Sequence, residues 1–185
     1  MRRKRLHLII ACLTIFILAS CVSEDTSSEV VVQIHEMMPT EATEQVQSFL
    51  EESAAAEGAE DTNIEVQVFP FNAQKITVEI GANRVVDVII ANEDYLSNLL
   101  NQGGLVSLDD LYEGEEPPEG WAPYVREDPE TNESHLFGVP LTKDSAVFKE
   151  LGLTPGNPLL AIIPQFTNHP EDAKMLLKAM AEPVE

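Results

Sequence analysis

Three runs of β-branched and aliphatic residues constrain this chain more than any other feature: Val30-Val31-Val32-Gln33-Ile34, Ile64-Glu65-Val66-Gln67-Val68-Phe69 and Val85-Val86-Asp87-Val88-Ile89-Ile90. Such side chains are stiff at the first torsion and pack well on a pleated surface, so each run reads as a strand. The first and third are apolar almost throughout, as in strands covered on both faces, while the second alternates with period two. Between the first two, Ala42, Val46, Phe49 and Leu50 fall at helical spacing, with Thr40 placed to cap that helix and Gly58 to close it. Strand, helix and strand in this order make a βαβ unit.

The alternation continues. Gln74 to Gly81 is read as a short helix, although Ile76, Val78 and Ile80 also alternate like a strand. Asn92 is placed to cap a helix carrying Tyr95, Leu96, Leu99 and Leu100 and ended by Gly103-Gly104. Leu105 to Leu111 is a connection with a helical turn, and the Glu, Gly and Pro residues from Tyr112 to Pro123 mark a surface loop. Tyr124-Val125-Arg126 and His135-Leu136-Phe137-Gly138-Val139-Pro140 flank a turn and predict a hairpin. Leu159 to Ile163 reads as another buried strand, and Pro170 opens a last helix with Ala173, Leu176, Leu177 and Met180 on one face. These elements predict an α/β fold: a mostly parallel sheet in a three-layer αβα sandwich, with one hairpin.

The N-terminus has a different logic. Met1-Arg2-Arg3-Lys4-Arg5 precedes an apolar run from Leu6 to Ala19 and then Ser20-Cys21. A basic region, an apolar core and small residues before a cut form a secretory signal, and the run is short for a membrane-spanning helix. Leu18-Ala19-Ser20-Cys21 resembles the lipobox of bacterial lipoproteins, which implies that Cys21 takes a diacylglyceryl group and becomes the first mature residue. Residues 1–20 are then the signal peptide, 21–29 a flexible Ser, Thr and acid-rich tether, and 30–185 the folded domain. The expected location is the extracytoplasmic face of the cell membrane, held by lipid.

Charge narrows the partners. Acids number 32 against 11 bases, and removal of the signal leaves seven bases and a formal charge of about −25. Nucleic acid is excluded, because binding it needs Lys and Arg clusters that displace counterions. Cys12 leaves with the signal and Cys21 is taken by lipid, so neither a disulfide nor a thiolate metal site is expected. No cofactor motif occurs. His35, His135 and His169 have no metalloprotease spacing, and Asp109-Asp110 and Glu115-Glu116 do not follow a calcium-loop pattern, so no enzyme is expected.

The segment order resembles the solute-binding lipoproteins of ABC importers, especially the sugar-binding group. The resemblance is carried by Val86 to Ala91 followed by Asn92-Glu93-Asp94-Tyr95-Leu96, by Gly104-Leu105-Val106-Ser107-Leu108-Asp109, by Phe137-Gly138-Val139-Pro140, and by Asn168-His169-Pro170-Glu171-Asp172-Ala173. It implies a periplasmic-binding-protein-like lobe, a small solute such as a sugar, and an ABC permease or sensor protein as partner. The chain departs from the family in length: little sequence separates Val139-Pro140 from Leu159-Leu160, where a second lobe is expected, so a single lobe is predicted.

In open α/β sheets ligands sit beyond the carboxyl ends of the strands. That edge offers His35 and Glu36 after the first strand, Asn72 after the second, and Asn92, Glu93 and Asp94 after the third. The alternative for each is a loop or helix-cap role. Trp121, the sole tryptophan, is placed either to stack on a sugar ring, as the resemblance implies, or to pack on the domain.

Overall fold

The structure, a computed structural model, describes residues 29–112 and 116–182. Cys21, the expected signal peptide and most of the expected tether lie outside the described residues. Strand β1, Glu29–His35, starts one residue before the expected domain boundary at Val30. Glu29 belongs to it because it pairs in register with Asn63, whose Nδ2 donates to the Glu29 carboxylate at 3.1 Å.

Helix α1, Ala42–Ala56, buries Ala42, Val46, Leu50 and Ala54. Thr40 does not cap it: Glu41 occupies the cap position without a side-chain bond, and the Ala42 N–H closes the first turn on the Pro39 carbonyl at 3.0 Å. Gly58 ends it at φ +81°, where the Gly58 N–H meets the Ala55 carbonyl and the Ala59 N–H the Ala54 carbonyl. These paired bonds satisfy carbonyls that the helix end leaves open.

Strand β2, Asn63–Phe69, runs parallel to β1. Helix α2, Ala73–Val78, then continues as one π-helical turn over Glu79–Asn83. The helical reading of this segment holds because Ile76 is fully buried while Val78 is half exposed, an arrangement that alternating strand faces would not produce.

Strand β3 spans Val88–Asn92, later than the expected run from Val85. Val85 is exposed, and Asp87 holds β1 twice: its N–H donates to the Val31 carbonyl at 2.9 Å and its carboxylate accepts the Val31 N–H at 2.8 Å. Thr167 Oγ1 donates to the same carboxylate, so Asp87 fastens β1, β3 and the approach to the last helix together. Helix α3, Glu93–Ser97, is shorter than expected and gives way to a 3-10 turn at Leu100–Gln102 before Gly103.

The expected hairpin forms between β4, Val125–Glu127, and β5, Ser134–Leu136. His135 to Pro140 is not one strand, however. The chain leaves β5 and re-enters the main sheet as β6, Val139–Leu141. Gly138 makes the transition where a Cβ would stand 3.0 Å from Leu160 Cδ1. Helix α4, Ala146–Glu150, strand β7, Leu159–Ile162, and helix α5, Pro170–Ala181, follow among the described residues.

The main sheet has the order β2-β1-β3-β7-β6. Both pairings of β1 are parallel and both pairings of β7 are antiparallel. The sheet is therefore mixed: β7 runs against its neighbours and, lying between β3 and β6, makes two of the four ladders antiparallel. The α/β class stands.

Candidate functional site

Strands β1, β2 and β3 end together, because His35 is in register with Phe69 on one side and Ala91 on the other. The antiparallel β7 begins at the same end, where Leu159 opposes Asn92, and the preceding Gly156-Asn157-Pro158 turn folds over it. The structure thus brings His35, Glu36, Asn92 and Glu93 to one edge, with Asp94 beside them and Asn72 three residues beyond the end of β2.

Their roles differ. Asn92 Oδ1 accepts from the Tyr95 N–H at 3.1 Å and caps α3, and Asn72 Oδ1 accepts from the Lys75 N–H at 3.0 Å and caps α2. Both asparagines are thus occupied by the helix starts they shape. The Glu93 N–H donates to the Pro158 carbonyl at 2.9 Å, and its carboxylate takes the Tyr124 hydroxyl. Burial, then this bond, raises the Tyr124 phenol well above its ordinary range. Asp94 is exposed. Trp121 is half buried against the core, three residues before Tyr124, which favours the packing role.

Glu36 is 5% exposed. Asn157 Nδ2 stands 3.4 Å from each of its carboxylate oxygens, and a Cβ on Gly156 would lie 3.0 Å from Oε1. Asn157 escaped the sequence reading; the available signal was a Gly-Asn-Pro turn immediately before a buried strand.

His35 belongs to a different network, because strand alternation puts it on the face of Gln33. A carboxylate only accepts, so Gln67 must direct its Nε2 to Glu65, at 2.8 Å. Its Oε1 then accepts from Gln33 Nε2 at 2.9 Å, which leaves Gln33 Oε1 facing His35 Nε2 at 3.1 Å. The histidine consequently carries its proton on Nε2 and keeps a lone pair on Nδ1. That buried Nδ1 has no hydrogen-bond partner among the described residues. Burial, reinforced by the Lys75 charge, lowers the His35 pKa to about 4, so the ring is neutral at neutral pH.

Lys75 and Glu79 cover this face. Lys75 Nζ lies 4.3 Å from the Phe69 ring centroid and 2.8 Å from Glu79 Oε1. Burial alone would raise the Glu79 carboxyl, but bonds from Lys75, Asn83 and Gln33 outweigh it and hold the group below its ordinary value. The sequence reading did not single out Gln33, Lys75 or Glu79; a glutamine inside an apolar strand was the only hint.

A second titrating pair lies apart from this edge. His135 Nδ1 meets Asp109 Oδ2 at 2.6 Å, and the Leu136 N–H donates to Asp109 Oδ1 at 2.7 Å. The Asp109 bond raises the His135 pKa, and the pair fastens β5 to the Asp109–Leu111 turn. A groove of about 670 Å³ between α1, α4 and α5, floored by Phe49 and Met175, includes none of the strand-end residues.

Among the described residues no group of three His, Cys, Asp or Glu side chains is placed to hold a metal ion, and no helix is long and apolar enough to cross a membrane. Comparison of the chain with protein-family profiles, curated proteins and solved structures finds no match. What the edge presents to solvent is acidic: the exposed Asp94 and the half-exposed Glu93 at the start of α3, while the Glu36 carboxylate is buried beneath Gly156 and Asn157.

Proposed function

We propose that this chain is a non-enzymatic lipoprotein, anchored through Cys21 at the extracytoplasmic face of the cell membrane, whose domain is a single solute-binding-like lobe of three-layer type. It works in or beside uptake of a small solute such as a sugar by an ABC permease. The observation that carries the reading is Leu18-Ala19-Ser20-Cys21 behind a basic and apolar leader. The one-lobe part is supported by β6 and β7. These strands flank the position where the resemblance expects a second lobe, yet they are neighbours in one sheet.

A specific observation favours a second reading, in which the domain is a regulatory or interaction module that no longer transports. Asn72 and Asn92 serve as helix caps, and the edge presents exposed Met37 and Phe71 instead of an enclosed polar pocket. Solute binding by clefts depends on burying most of the ligand.

Two measurements test these readings. A Cys21→Ser chain should leave the membrane fraction, since two or three acyl chains give durable anchoring and none gives little; retention in that fraction would remove the anchor. A thermal-shift screen against sugars and oligosaccharides should raise the melting temperature if the lobe binds one. The absence of any shift would favour the interaction module.

A further inference from the structure

We infer that the strand-end face is an interaction surface for a second protein, one that presents lysine or arginine side chains around an apolar contact. This rests on the one-lobe reading and names what closes the open face.

The apolar part is Met37, 80% exposed, and Phe71, 45% exposed. Each lies two residues beyond a member of the register pair His35 and Phe69, so both emerge from adjacent strands at the same end. Phe71 is held outward by an edge-on contact with Tyr95, ring centroids 5.5 Å apart at 77°. A lone exposed apolar residue is ordinary, whereas two that leave adjacent strands at the same end offer apolar area that gains by being covered.

Charge identifies the cover. Asp94, exposed, and Glu93, half exposed, directly precede the Tyr95 that touches Phe71. The nearby cations are already engaged, Lys75 with Glu79 at 2.8 Å and Lys143 with Asp144 at 2.7 Å. An anionic lipid surface or a nucleic acid is repelled, and a second copy brings the same acids on a chain of net charge −21. A protein with a cationic rim gains both steering and apolar burial.

The test uses the purified full chain and two synthetic probes, an amphipathic Lys/Leu peptide and its Glu/Leu counterpart. Binding is read by fluorescence of Trp121, the sole tryptophan, which lies three residues from the Glu93-bonded Tyr124. The Lys/Leu peptide should bind and the Glu/Leu peptide should not. Met37→Ser and Phe71→Ser, which leave the charge unchanged, should each weaken binding by roughly tenfold, while Val85→Ser, at an apolar residue exposed elsewhere, should not. Equal binding by all variants would reduce the effect to general attraction by an acidic chain and overturn the proposal. Dimerisation in sedimentation that Met37→Ser abolishes would also overturn it, in favour of a second copy. The outcome separates from that of the function reading. A solute that raises the melting temperature while Met37→Ser leaves peptide binding intact removes the surface alone, and the reverse pair of results removes the solute alone.

Discussion

His35 shows how one buried side chain sets a dependence on pH. Its folded pKa of about 4 lies below the ordinary 6.5, so between these values the unfolded chain binds a proton that the folded chain refuses. Stability therefore falls as pH drops from 6.5 toward 4. His135 has the opposite sign: its pKa is raised by Asp109, so its contribution is full below 6.5 and fades as pH rises through the folded value. The His35 shift is the larger of the two, so urea midpoints should fall from pH 7 to pH 5. His35→Gln should flatten that acid limb, and Asp109→Asn should remove the loss on the other side; unchanged pH profiles would contradict both assignments. Neither partner set was legible in the sequence, because Lys75 and Glu79 reach His35 from the helical segment that follows β2, and Asp109 reaches His135 from a turn 26 residues away.

At the scale of elements, the sequence named the strands and helices well and their ends poorly. Val85 begins an apolar run yet is exposed, and the Val31 N–H bonds the Asp87 carboxylate, so β3 starts only at Val88. His135 to Pro140 is apolar enough for one strand, yet the close approach of Leu160 at Gly138 divides it between two sheets. Gly138→Ala should therefore destabilise the fold by about 1–3 kcal/mol, the usual effect of overpacking, as measured by equilibrium denaturation. Asn72 and Asn92 were legible both as caps and as ligand residues, and the structure gives them cap bonds. Replacing either with Ala should lower stability by about 1 kcal/mol. A variant that lost solute binding at undiminished stability would return that asparagine to the ligand role.

Across the whole molecule, one charge sign dominates. With net charge −21 the compact state repels itself, and added salt screens exposed charges beyond about 10 Å at 0.1 M. The melting temperature should rise as sodium chloride goes from low to moderate concentration; a fall would mean that ion pairs such as Lys174 with Asp110, at 2.7 Å, outweigh the repulsion. The α/β class, the βαβ start, the hairpin and the closing helix follow from local order, since hydrophobic period and turn chemistry act over a few residues. The reversed direction of β7 does not follow, nor does the pairing of β6 with β7, the seating of Glu36 beneath Gly156 and Asn157, or the proton position on His35. Each of these depends on which distant segments come into contact. Nearest-neighbour chemistry along the chain determined the elements, and only packing across the sheet decided their partners, because register and burial are properties of pairs that no local stretch contains.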